Sequence, residues 1–178
     1  GYATLGRVIG NVSGKPFQQQ IGEAVFTPLG MGATTYDVFK VPAGRLAVGY
    51  RFENGAWTRE PMMKDGAFGA MGGVVTTAND YAKWVAHLLS GWPVAAKAGL
   101  DGGTIRAMRY GGGFPHQRAR PGKDAPDCRL QLIYAGGLVA GQDCLLGGVM
   151  FHSGGYPGYG SHMLLFPEAG VGIFAFAN

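Results

Sequence analysis

Apolar positions along this 178-residue chain change period three times. Leu5, Val8, Ile9 and Val12 recur at helical spacing and run into Gly14, which suits a left-handed helix cap. Pro16 fits the first turn of a second helix with Phe17, Ile21 and Val25 on one face, closed by Pro28 and Gly30. Residues 1–30 should therefore form a short antiparallel helix pair. The pattern loosens over 31–129. There, residues 45–52 have strand character and Glu53-Asn54-Gly55 has turn chemistry. Thr77-Ala-Asn-Asp80 predicts a capping box with Asp80 at the third helical position. Tyr81, Trp84, Val85, Leu88 and Leu89 then give the strongest helical periodicity, stopped by Gly91 and Pro93. A stretch rich in Gly, Pro and Arg follows to residue 129, with one helical turn expected near 105–110. From residue 130 strands follow in quick succession, near 131–139, 145–151, 161–166 and 171–176. Pro167-Glu-Ala-Gly170 supplies the last tight turn.

Helices, a mixed middle and a terminal run of strands predict an α+β fold, an antiparallel sheet flanked by helices, in one domain. Composition agrees: 47% of residues are hydrophobic and 15% charged, enough for a core and too few charges for extensive disorder. The 33 glycines follow no collagen period and point to turns and close backbone approaches. The net charge is +4, with Arg106, Arg109, Arg118, Arg120 and Lys123 close together. Without interleaved aromatics or a recognisable module, these read as a solvated loop and not as a nucleic-acid surface. Cys128 and Cys144 would lie at opposite ends of the 131–152 hairpin, which disfavours a disulfide. No run approaches 18 apolar residues, so no membrane-spanning helix is expected. The chain opens without Met, directly inside a helical pattern, as a fragment would.

Most tempting motifs fail on spacing. Gly10-Asn-Val-Ser-Gly14-Lys15 is one residue short of a phosphate loop, with Pro16 in place of the Ser or Thr that would hold magnesium. His87, His116, His152 and His162 fit no zinc spacing, and neither Ser153 nor Ser161 is flanked as in a nucleophile elbow. No cofactor is implied. One constellation remains, the run from Phe151 to Gly160 (FHSGGYPGYG), placed where one strand should end and another begin. A hydroxyl and an imidazole precede glycines that let backbone N–H groups reach a ligand. Such donors typically stabilise a developing oxyanion by about 3 kcal/mol each. From these residues alone, an oxyanion-binding wall and a glycine-rich β-turn are equally good readings.

Neighbouring segments break the tie. Residues 1–9 (GYATLGRVI), Val12-Ser-Gly14 and Pro28-Leu-Gly-Met31 resemble the helix pair of the class C β-lactamase-like serine hydrolases, which include penicillin-binding proteins, D-aminopeptidases and carboxylesterases. Residues 72–80 (GGVVTTAND) resemble that family's Gly-Gly-Leu-x-Ser-Thr-Ala-x-Asp helix entry, and Tyr134-Ala-Gly-Gly-Leu138 its Tyr-Gly-x-Gly strand. His152-Ser-Gly-Gly-Tyr-Pro-Gly158 is similar to its third active-site motif, often His-Ser-Gly or His-Thr-Gly. The resemblance runs end to end, with five matches in order, and implies the β-lactamase/transpeptidase-like fold.

The resemblance also implies roles. His152 would bond the Tyr of the family's second motif, Ser153 would hydrogen-bond a substrate carboxylate or carbonyl, and Gly154 would let the strand come close. The N–H of Gly155 would be one oxyanion donor, and Tyr156 would help shape the substrate pocket. His162 and His87 are expected to be structural, His87 on the polar side of its helix. Two motifs are missing: no Ser has Lys three residues on, and no Tyr has Asn two residues on. Truncation just after the second motif accounts for both, so the site would need the rest of the parent chain. The partner would be a small-molecule or peptide substrate: a β-lactam, a D-amino-acid peptide or an ester. A non-catalytic peptide- or peptidoglycan-binding relative is the alternative, and localisation stays open.

Overall fold

The computed structural model describes residues 1–62, 64–66, 68–92, 102–109, 116–119, 129–143 and 146–178. The chain divides into two compact units. One comprises Gly1–Trp84, Gly154–Gly160 and Phe176–Asn178; the other comprises Val85–Ser153 and Ser161–Ala175. The architecture is α+β, as expected from the order of elements.

In the first unit, α1 (Tyr2–Ser13) ends at Gly14, in the left-handed conformation with its N–H bonded to Gly10 O. Pro16 caps α2 (Phe17–Ile21), one position earlier than predicted, and α2 widens into a π-helical turn over Gly22–Phe26. Phe17 and Phe26 both pack on Tyr36, with ring centroids at 5.1 and 5.9 Å. The strand predicted over 45–52 starts only at Tyr50, because Ala43–Arg45 form a 3-10 turn behind Pro42. From there β1 (Tyr50–Glu53) and β2 (Ala56–Arg59) make an antiparallel hairpin. Asn54 and Gly55, at φ 53° and 80°, give the mirror-image turn that such hairpins favour. Phe52 faces Trp57 across it, ring centroids 5.1 Å apart. A short α3 (Gly69–Gly72) precedes α4 (Ala78–Ser90).

The predicted cap at the start of α4 forms, with Thr77 Oγ1 accepting from the N–H of Asp80 at 3.2 Å. The Asp80 carboxylate is buried and accepts from Ala33 N–H at 2.7 Å, from Thr34 Oγ1 at 3.1 Å and from Lys83 Nζ at 2.7 Å. Burial pushes its carboxyl up, but these donors outweigh that and hold it below the usual carboxylate value. A helix start thereby ties down the loop at 31–35.

The second unit holds most of a six-stranded sheet in sequential order: β3 (His116–Ala119), β4 (Arg129–Ala135), β5 (Leu138–Asp143), β6 (Gly147–Tyr156), β7 (Tyr159–Phe166) and β8 (Val171–Ala177). β3 to β6 pair antiparallel. Val85 and Leu88 of α4 and Ile105 of α5 (Gly102–Ala107) are buried, as are Leu132, Ala135, Leu138, Ala140, Val149, Met150, Met163 and Leu165 from the sheet. A tight 3-10 turn over Pro167–Ala169, ending at left-handed Gly170, joins β7 to β8 as predicted.

Three expectations change here. The strand predicted over 131–139 is two strands, because Gly136 and Gly137 take φ 58° and 87° and reverse the chain. The excursion over 91–129 contains a strand, β3, with His116 opposite Leu132. His87 is not on the polar side of α4; it is 7% exposed, and burial pushes its imidazole pKa down. In the basic stretch, Arg106 Nη1 donates to Gly91 O at 2.7 Å. Arg109 pairs with Glu168 at 3.3 Å and lies over the Trp92 ring. Cys128, Cys144, Pro93, Tyr110, Arg120 and Lys123 lie outside the described residues. No described helix is long and apolar enough to cross a membrane.

Candidate active site

The His-Ser-Gly-Gly segment lies within β6, so the strand expected to end near residue 151 continues through it. Val149 and Met150 are buried, Phe151 is half-buried, and His152, Ser153, Gly154 and Gly155 are exposed. The strand therefore emerges from the core at the motif, keeping extended backbone while its surface opens to solvent. The reversal comes later, at Pro157-Gly158.

That reversal is anchored within the first unit. Gly158 sits at φ 78°, where a Cβ would come within 2.6 Å of the Gly49 backbone. Tyr159 Oη donates to Ala47 O at 2.7 Å, and Asn178 Nδ2 donates to Val48 O at 2.8 Å. Tyr156 is half-buried with its ring 6.3 Å from that of Tyr159, so both tyrosines brace the hairpin tip.

Two motif side chains are hydrogen-bonded to other strands. His152 Nε2 lies 3.3 Å from Tyr134 Oη of β4, and the rings meet edge-on at 5.9 Å. Ser153 Oγ lies 2.8 Å from Nδ1 of His162 on β7. Which atom donates in each pair follows from the imidazole tautomer. Sequence reasoning gave Tyr134 only as part of a strand motif and His162 as structural. Neither has a periodic signal, since each meets the motif across the sheet.

Gly155 is informative because nothing local demands it. A Cβ there would meet no atom within 4 Å, and its φ is not in the left-handed region. Glycine inside a strand typically costs about 0.5–1 kcal/mol relative to Ala. Among the described residues, no group of three or more His, Cys, Asp or Glu side chains could hold a metal ion.

Comparison with known proteins gives this strand its context. The model of the Beta-lactamase family matches residues 1–178. The chain is 32% identical over 96 residues to Beta-lactamase-like protein 4 of Dictyostelium discoideum, covering 50% of this chain and 17% of that protein. Among solved structures, an octameric penicillin-binding protein homologue from Pyrococcus abyssi superposes with a TM-score of 0.74 at 22% identity, covering 99% of this chain and 37% of that one. A beta-lactamase from Sulfitobacter sp. EE-36 gives 0.72 at 17% identity, covering 99% of this chain and 52% of that one. At these identities the two structures establish the β-lactamase/transpeptidase-like fold, and this chain spans about half or less of each relative's length. With the family model matched from the first residue to the last, the chain belongs to the Beta-lactamase family.

Proposed function

We propose that this chain supplies the third-motif wall of a serine hydrolase that works through an acyl-enzyme, with the nucleophile outside these 178 residues. The observation that carries the reading is the exposed in-strand segment His152-Ser153-Gly154-Gly155, whose last glycine no local packing or backbone angle requires. A serine would attack an amide or ester carbonyl, expel the leaving group, and be released by water. The carbonyl oxygen would gain negative charge during attack, and the N–H of Gly155 would be one donor to it. His152 would tune proton transfer beside the nucleophile, and Tyr134 already holds one of its ring nitrogens. Ser153 would bond an acceptor oxygen of the substrate, with Gly154 and Tyr156 lining the approach. No serine in this sequence has Lys three residues on, which is why the nucleophile is assigned elsewhere.

The test uses the full-length protein that carries this chain. His152→Ala should lower kcat for ester or amide hydrolysis by about a hundredfold or more, with an unchanged circular dichroism spectrum. Unchanged turnover removes His152 from the site. The 178-residue chain alone should not label with a fluorophosphonate probe, and stoichiometric labelling would refute an external nucleophile. A full-length protein that binds peptide without hydrolysing anything would favour a non-catalytic relative.

A further inference from the structure

The contact between Ser153 and His162 has a direction that the family assignment does not supply. Both residues are exposed, and they sit on the adjacent strands β6 and β7 with Oγ and Nδ1 2.8 Å apart. The imidazole is steadied a second way, with its ring centroid 6.2 Å from that of half-buried Phe151, two residues before Ser153. Met163 and Leu165 next to it on β7 are buried, so the backbone beneath His162 is fixed by the core. An exposed imidazole held by a hydroxyl, a ring and a core-anchored strand has far less freedom than a solvated surface histidine.

We propose that His162 is a positioning residue: its Nδ1–H donates to Ser153 Oγ, so that the serine proton points outward to a carboxylate on the substrate. This rests on the reading that Ser153 contacts substrate. A serine hydroxyl has one proton. If Nδ1 accepted it, Ser153 would present only lone pairs and repel an anion. If Nδ1–H donates, the oxygen's lone pair is engaged, its own O–H is polarised, and chained hydrogen bonds strengthen one another. A carboxylate acceptor makes the outer bond charge-assisted, about twice as strong as a neutral one. His162 therefore favours carboxylate-bearing substrates over neutral ones.

The experiment compares nitrocefin, which carries a carboxylate, with p-nitrophenyl acetate, which does not, using the full-length protein. His162→Ala should raise KM for nitrocefin roughly tenfold, with kcat and both constants for p-nitrophenyl acetate within about twofold. His162→Asn, whose amide N–H can stand near Nδ1, should recover most of the loss. An unchanged KM for nitrocefin, or an equal rise with both substrates, overturns the proposal. If the wild type turns over neither substrate, the proposed hydrolase reading is what has failed. The ring 15N spectrum of His162 at about pH 8, where an ordinary imidazole is neutral, then decides the inference. A protonated Nδ1 that shifts in Ser153→Ala upholds it, and a proton on Nε2 in the wild type overturns it.

Discussion

The two units differ most in what they bury. Apart from Met31 and Val38, every buried apolar residue among those described belongs to the second unit. The first unit instead exposes Leu5 and Val8 at 49%, Val12 at 84% and Trp57 at 70%. It is organised by a capped helix, an Asn-Gly hairpin, the ring cluster at Tyr36, and the hydrogen bonds converging on Asp80. The lesson is that periodicity and burial are separate properties. α1 has the apolar spacing of a core helix, yet Leu5, Val8 and Val12 are exposed in this chain and Ile9 is only half-buried. The sheet of the second unit has both the pattern and the partners. Within β6, Val149 and Met150 are buried, and His152, Ser153, Gly154 and Gly155 beyond them are exposed.

The comparison can be broken most easily at the core. Leu165→Ala, at a fully buried position in the second unit, should lower unfolding stability by about 2–5 kcal/mol in urea titrations followed by circular dichroism. A loss under 1 kcal/mol, on that same scale, would mean the second unit is not the packed one.

Acid should separate the units next. Burial lowers the His87 pKa in the folded state, so the unfolded chain binds more protons just below the ordinary imidazole value of 6.5. Stability should therefore be full above that value and fall as pH drops through it, and His87→Gln should flatten that slope. The donors around Asp80 hold its carboxyl below 3.8, so its contribution is present above that value and disappears as pH falls further. Asp80→Asn should abolish this second, more acidic loss. At neutral pH it should cost about 1–3 kcal/mol, because donors built for a carboxylate lose their charged partner. A single acid transition that neither substitution moves would refute the pairing of these groups with their units.

The smallest effect belongs to the first unit's surface. Val12→Ser should change stability by no more than about 0.5 kcal/mol. A larger loss would show that the exposed stripe of α1 is covered in solution.

Legibility in the sequence followed the range of the interactions. The stop of α1, the Asn54-Gly55 turn, the Thr77 cap and the Pro167 turn were legible because each is decided within four or five residues. The Gly136-Gly137 reversal was read as strand interior, since glycine is compatible with both and only the positive φ angles separate them. β3 has no apolar alternation over His116–Ala119 and exists through its pairing with β4. His87 was misassigned because one helical face was counted, while the packed helix buries a wider arc.

The sequence by itself determined the α+β class, several element ends, the family, and the position of the His-Ser-Gly-Gly segment, because local backbone chemistry and ordered motifs are written along the chain. Tertiary structure alone decided that this segment is strand and not turn, that Leu5, Val8 and Val12 of α1 are exposed, and that Tyr134 and His162 hold His152 and Ser153. Those outcomes depend on which strands lie side by side. Cross-strand partners come from residues 18 and 9 positions away, and no local period encodes such a meeting.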